Sequence, residues 1–379
     1  MTKLLIATDT YFPKRDGVVI FLSKIIPKLV DKFDITILAP AYKENIVTIA
    51  NTQIIGLPLS KTIKLADYQS LQLTSKNLGK IKQAVKETDI VWSQDLAPIG
   101  ALSIIYAKKF KKPSINYVHQ ITEEHLTGLL PVPKIVKPIA FFFVKRIVKY
   151  LYNKCNMLLV PYKSLAQELS DNGIKTKKAI IPLGVDSEKF VPPNSKIVAK
   201  KFLGIDPKHT VIGYCGRLSK EKDVKTLVRA FMRLKEFYPN IFLLLVGSGP
   251  RRDLNSMLNK KDIKVTGFVS DVVPYLQAMD IFVLPSLTET TSLATIEAMA
   301  CKLPVVVTKV GYIKEYIKDR HNGMFFPTRN DYVLRRKLEK LIRNEPGRKM
   351  LGENARETVL ERFSWKKTVA LIRKALDML

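Results

Sequence analysis

Residues 3–40 read KLLIATDTYFPKRDGVVIFLSKIIPKLVDKFDITILAP. Their order of short apolar run, polar loop, longer periodic segment and second apolar run decides the fold. KLLIATD at 3–9 and DITILAP at 34–40 are β-rich and end in polar or turn residues. Between them, GVVIFLSKIIPKLVDKF at 17–33 places its apolar residues near the 3.6-residue helical period. Continuous apolar strands joined by helices predict buried parallel strands with crossover connections, and therefore an α/β fold.

The unit recurs outward from there, in DIVWSQD at 89–95 and PSINYVH at 113–119. IPLGVDSEKFVPPNS at 181–195 is rich in proline and turn formers and reads as a boundary. Beyond it the strand signature restarts in TVIGYCG at 210–216, NIFLLLVGSG at 240–249, KVTGFV at 264–269, DIFVLPS at 280–286 and LPVVVTK at 303–309. A chain of 379 residues is also long for one core. The expectation is two doubly wound domains, 1–185 and 186–360, with ligands at the carboxyl ends of the strands, between the domains.

Composition narrows the chemistry less than the pattern does. With 46% hydrophobic and 26% charged residues the chain is ordinary for a globular protein. Three cysteines, with no CxxC pair, exclude a disulfide framework and a cysteine zinc site, and fit a reducing cytosol. The first residues, MTKLLIATDTYF, hold too short an apolar run for a signal peptide, and no stretch of about 18 apolar residues suggests a spanning helix. The net charge of +29 is the outlier and admits nucleic acid, an anionic membrane or a phosphate-bearing substrate. It is shared almost equally between residues 1–185 and the remainder, so it locates no site.

Glu289 and Glu297 frame TTSLATI where a strand gives way to a helix. The amides of Thr291, Ser292 and Leu293 at such a helix start can hold a phosphate, with Glu297 on a ribose diol and Glu289 on sugar hydroxyls. Spacing alone also fits a capped surface helix with two solvated carboxylates. GYCGRLSKEKDV at 213–224 sets Arg217 and Lys222 just after a strand, a fork and a point charge suited to a pyrophosphate, or a solvated basic loop. VGSGP at 246–250 lacks the G-x-G-x-x-G spacing and serves equally as a phosphate loop or a plain turn. His119 ends a strand and is six residues from His125, not the i, i+4 pair of a zinc helix; no D-x-D occurs, so no metal or other cofactor is expected. Finally, PKIVKPIAFFFVKRIVKYLYNK at 133–154 interleaves Lys134, Lys137, Lys145, Arg146, Lys149 and Lys154 with Phe141, Phe142, Phe143, Tyr150 and Tyr152. Such a helix lies in an anionic bilayer interface or packs one side on a core; for the first, Lys137, Phe141, Phe142, Lys145, Arg146 and Lys149 are the contacts. KKFKK at 108–112 adds charge to the same domain.

Together these motifs resemble the family 4 retaining glycosyltransferases, and the likeness covers nearly the whole chain. Their E-x7-E element is similar to Glu289 and Glu297, their G-R-L…E-K element to Gly216, Arg217 and Lys222, and their I-P-N-G-V-D junction to IPLGVD at 181–186. DGVVIFLSKIIPKL at 16–29 resembles the early Gly-rich loop, with Gly17 facing phosphate; the cleft histidine corresponds to His119. The chain departs at Thr291-Ser292, where Phe-Gly is usual, at Lys302, where Gly is common, at Tyr312, and at Gln94, where a second histidine is frequent. The resemblance implies the GT-B fold, two Rossmann-like domains facing each other across a cleft. The first would take the acceptor and the second the nucleotide sugar, while RFSWKKTVALI at 362–372, within 361–379, would form a helix returning to the first.

The DTYFP…DGV opening and the HQITEEH region are most similar to the branch that glycosylates lipids, such as diacylglycerol glucosyltransferases and phosphatidylinositol mannosyltransferases. This implies a cytoplasmic enzyme, peripheral on the inner face of the membrane, that moves a hexose, with UDP-glucose the favoured nucleotide sugar, to a lipid hydroxyl. Arg217, Lys222 and the amides near Ser292 and Leu293 would stabilise the leaving phosphate, and His119 would position sugar or acceptor. A soluble glycan acceptor, a UDP-sugar epimerase and a nucleic-acid-binding protein are the alternatives; no nucleic-acid module is recognisable, and no oligomeric state is implied.

Overall fold

The computed structural model describes residues 1–14, 16–42, 47–65, 68–119, 136–249, 261–289 and 291–379. His125, Lys134, Pro250, Thr290 and most of the HQITEEH stretch lie outside them. The described chain divides into two units, one of Met1–Leu183 with Trp365–Leu379, the other of Gly184–Ser364.

In unit 1 the apolar runs become β1 (Thr2–Ala7), β2 (Phe33–Ala41), β3 (Gln53–Leu65), β4 (Tyr68–Leu71), β5 (Ile90–Ser93), β6 (Ser114–Tyr117), β7 (Met157–Val160) and β8 (Lys177–Ile180). The sheet order is β4-β3-β2-β1-β5-β6-β7-β8, parallel throughout except for β4 against β3. Leu4, Leu5, Ile6 and Ala7 are all buried, as a strand covered on both faces requires. The edge strand β8 instead begins with Lys177 and Lys178, which discourages further pairing. Its helices are α1 (Gly17–Ile25), α2 (Ser75–Glu87), α3 (Pro98–Lys109), α4 (Lys137–Tyr152) and α5 (Lys163–Asp171).

Unit 2 holds β9 (Thr210–Cys215), β10 (Ile241–Val246), β11 (Ile263–Val265), β12 (Ile281–Leu284), β13 (Val305–Thr308) and β14 (Met324–Phe326) in the parallel order β11-β10-β9-β12-β13-β14. Its helices are α6 (Lys196–Phe202), α7 (Val224–Lys235), α8 (Val273–Ala278), α9 (Leu293–Ala300), α10 (Asp331–Arg343) and α11 (Glu345–Arg362). The last helix, α12 (Trp365–Asp377), belongs to unit 1. There Trp365 lies 6.0 Å from the ring of Phe21, Arg373 pairs with Asp31 at 2.6 Å, and Thr368 donates to the Pro182 carbonyl at 2.9 Å.

In each sheet the chain runs outward one way and then crosses back past its starting strand, at β1/β5 in unit 1 and β9/β12 in unit 2. The crossovers must diverge at these switch points, which opens a crevice at the carboxyl ends of those strands. Among the described residues no helix is long and apolar enough to cross a membrane.

Candidate active site

The residues singled out for the donor all fall in unit 2 except Gly17. The loop after β9 carries Gly216, Arg217 and Lys222, and the loop after β12 carries Glu289. Lys222 Nζ meets Glu289 Oε1 at 2.5 Å, and Ser286 Oγ donates to the same oxygen at 2.7 Å. A backbone bond from Leu287 N to Glu221 O, 2.8 Å, ties the two loops together. Arg217 reaches outward, its side chain 77% exposed and paired with Glu221 at 2.8 Å, so its guanidinium is available to a ligand at little cost.

VGSGP has a structural task here. A Cβ on Gly247 would come within 1.9 Å of the Gly216 carbonyl oxygen, and one on Gly249 within 2.3 Å of that of Leu218. The absence of side chains lets this segment lie against the loop, where Gly216 N donates to Val246 O and Leu218 N to Ser248 O, both at 2.9 Å. The glycines therefore set the path of the Arg217 backbone.

Helix α9 starts at Leu293, directly after Ser292. Ser292 is left-handed, φ 48°, and its Oγ accepts from Thr295 N at 3.4 Å as the N-cap. A residue without a Cβ would be easier there, which is the physical meaning of the glycine usual at this position. Helix geometry leaves the first-turn amides of Leu293 and Ala294 without intrahelical acceptors. Thr291 is buried, its carbonyl accepts from the Tyr316 hydroxyl at 2.8 Å, and its own Oγ1 has no partner among the described residues. One turn into the helix, burial raises the Glu297 carboxyl to about 7, partly offset by Lys189. It is thus poised between acid and carboxylate at neutral pH.

In unit 1, Gly17 opens α1, and a Cβ there would meet nothing within 4 Å, so a ligand could approach its backbone. The next two amides are taken: Asp16 Oδ1 accepts from Val18 N and Val19 N at 3.1 and 3.0 Å. His119 lies on the Tyr117 ring, centroids 4.4 Å apart, and edge-on to Phe21 at 5.1 Å. Burial pushes its imidazole down to about 3, so it is neutral. Its Nε2 meets Gln94 Oε1 at 3.0 Å. An amide oxygen only accepts, so with this orientation Nε2 carries the proton and Nδ1 is a bare acceptor.

The motif reading overlooked a buried acid pair at the same switch point, although both acids directly end strand signatures (LLIATD and VWSQD). Asp9 accepts from Ile99 N and Gly100 N at 2.9 Å each, and Asp95 Oδ2 accepts from Asp9 N at 3.0 Å. Burial and the neighbouring Asp95 hold the Asp9 carboxyl well above the carboxylate range.

Helix α4 buries only Val148, Leu151 and Tyr152. On its opposite side Ile139, Phe142, Phe143, Ile147 and Tyr150 are each 56–59% exposed. Spaced by three and four residues, they form one stripe with Arg146, whose guanidinium sits 5.7 Å from the Phe142 ring. Lys149 is exposed, and Lys137 and Lys145 are half-buried. Phe141 is half-buried and off the stripe, so Phe143, Ile139 and Ile147 replace it as the outward apolar residues.

The family model "Glycosyltransferase Family 4" matches residues 15–189, and "Glycosyl transferases group 1" matches residues 195–358. The chain is 28% identical over 260 residues to an alpha-monoglucosyldiacylglycerol synthase of Acholeplasma laidlawii, 65% of each chain. With the synthase of the same name from Streptococcus pneumoniae it shares 25% over 342 residues, 86% of this chain and 75% of that one. Among solved structures, Anabaena HepE in complex with UDP superposes over the full length of both chains with TM-score 0.81 at 18% identity, a likeness of fold.

Proposed function

Because the chain belongs to the family 4 glycosyltransferases of GT-B fold, we propose that it transfers a hexose, glucose from UDP-glucose first among candidates, to a hydroxyl of a membrane lipid such as diacylglycerol. Unit 2 would hold the donor and unit 1 the acceptor. As the C1–O bond to the diphosphate breaks, negative charge grows on the leaving phosphate. Arg217, Lys222 and the first amides of α9 would meet that charge, preorganised electrostatics that usually dominates such steps. The acceptor oxygen bonds to C1 on the same face, with retention, and its proton passes to the departing phosphate oxygen. Glu289 would hold the sugar, Glu297 the ribose diol, and Gly17 would approach the phosphates. Neutral His119, through its bare Nδ1, would accept from a sugar or acceptor hydroxyl.

The observation that carries the lipid acceptor is the α4 stripe: five apolar side chains and an arginine face solvent along one side of a helix in unit 1. Monomeric proteins seldom expose such patches without a partner, and a basic amphipathic helix of this kind suits an anionic bilayer interface. The two synthases of similar sequence, named for a glucosylated diacylglycerol, support the same reading. The enzyme would then work on the cytoplasmic face of the membrane.

The test supplies labelled UDP-glucose and GDP-mannose with diacylglycerol in anionic vesicles. Label should enter the organic phase from UDP-glucose and disappear in an R217A/K222A variant. Label reaching only a soluble glycan, or full activity in that variant, would sink the reading.

A further inference from the structure

At the opposite end of the unit 2 sheet from Arg217 and Glu289 lies a second basic site. The first residue of β9 with the turn before it, the residue before β12 and the turn before β13 line an open cavity of about 410 Å³, together with α6 and the start of α11. Small-molecule sites span roughly 300–1,000 Å³. The six residues of β9, at about 3.3 Å each, separate this cavity from the donor crevice by roughly 20 Å.

Six lysine or arginine residues line the cavity, against two carboxylates, Asp280 and Glu345. Both carboxylates are already matched, Asp280 by Lys200 at 2.7 Å and Glu345 by Lys349 at 2.8 Å. The remaining cations are in excess. Lys196 donates to the carbonyls of Gln277 and Met279, yet desolvation, with Lys200 and Arg348 nearby, lowers its ammonium to about 8. Arg348 donates one N–H to the Leu341 carbonyl at 2.8 Å and has others to offer. Among the described residues Lys302 makes only a loose pair with Glu353, at 3.9 Å.

Lys302 carries the strongest indication. It stands at φ 58°, the left-handed residue after α9 where glycine relieves strain, and it nevertheless brings a cation to the cavity wall. Concentrated, partly desolvated positive charge with an arginine fork matches phosphate oxygens.

We propose that this cavity binds a compact, multiply charged phosphate compound, of the class of diphosphates and small phosphorylated metabolites, at a site separate from the sugar-nucleotide crevice. The proposal does not rest on the transferase reading, because none of its residues belongs to that crevice. The test is calorimetric titration of the full chain at low salt with inorganic pyrophosphate. Pyrophosphate binding should persist in R217A/K222A and weaken at least tenfold in K302G/R348A. K302G alone should leave the melting temperature of the free protein unchanged or higher, while shrinking the stabilisation that pyrophosphate gives. R348K, which keeps the charge but loses the fork, should bind more weakly than the parent and more tightly than R348A. Should R348A fail to fold, K302G alone decides. Unchanged affinity in K302G, no titratable binding in R217A/K222A, or an equal affinity for pyrophosphate and sulfate would each overturn the proposal.

Discussion

Lys222 and Glu289, 67 positions apart, meet at 2.5 Å with both side chains largely out of solvent. The ammonium proposed to meet the leaving phosphate is thus held by the carboxylate proposed to meet the sugar. Lys222→Ala should lower kcat/KM for the nucleotide sugar by about 10²–10³, the usual loss for one preorganised charge donor. Among the described residues it also leaves Glu289 with Ser286 as its remaining side-chain partner, and should lower stability by about 1–3 kcal/mol. Steady-state kinetics and thermal melts check both. Wild-type kinetics would remove Lys222 from the donor site.

At Ser292 backbone strain and capping oppose each other. Ser292→Gly loses the cap, a few tenths of a kcal/mol, and relieves a left-handed residue, worth about 1 kcal/mol. The melting temperature should hold or rise slightly, with activity retained. Ser292→Val puts a β-branched side chain at φ 48° and loses the cap, and should cost about 2–4 kcal/mol with a matching loss of turnover.

Burial holds the Glu297 carboxyl near 7, and a ribose diol donates to the ionised form. Donor KM should therefore rise by about an order of magnitude as pH falls from 8 to 6. Glu297→Gln should raise KM and flatten that profile. Because the folded pKa lies above the unfolded one, this group's contribution to stability falls as pH rises from the ordinary carboxylate range through about 7. The glutamine variant should lose that dependence in urea unfolding at several pH values.

The α4 stripe makes a prediction that leaves the donor site alone. F142S/F143S/I147S removes three exposed apolar side chains, each worth about 1.5–3 kcal/mol when buried. Partition onto phosphatidylglycerol vesicles should fall more than 100-fold, with an unchanged melting temperature and unchanged UDP affinity. Equal co-sedimentation of the variant would separate α4 from the membrane.

The proposed reaction meets the leaving charge with side chains and amides, so excess EDTA should leave turnover unchanged. Activity restored only by added Mg²⁺ would refute that.

The parallel sheets were legible because residues 3–9 and 34–40 are continuous apolar runs around a helical period, a pattern that only strands covered on both faces sustain. Arg217, Lys222, Ser292 and Glu289 were legible as a set because they follow strand ends, where a doubly wound sheet opens. Their pairing was not. Nothing in the spacing says that Lys222 reaches Glu289 while Arg217 turns to Glu221. The strand order that joins two loops 67 residues apart appears only on folding. The outward face of α4 was not legible, because three consecutive Phe residues fit a helical face in either register until Val148 and Leu151 turn inward. The glycines of VGSG fitted a phosphate loop and a plain turn equally, since a sequence cannot tell a backbone that approaches a phosphate from one that approaches a second backbone.

Helix α12 ties Trp365 and Arg373 to Phe21 and Asp31. Unit 1 is therefore closed by residues that leave the ribosome after all of unit 2. During synthesis the earlier-made sheet must wait, its α1 side uncovered, while the later-made one can finish first. A stalled or clipped chain ending before Trp365 should then hold a complete unit 2 beside an open unit 1, which chaperones and proteases could recognise by the bare surface around Phe21.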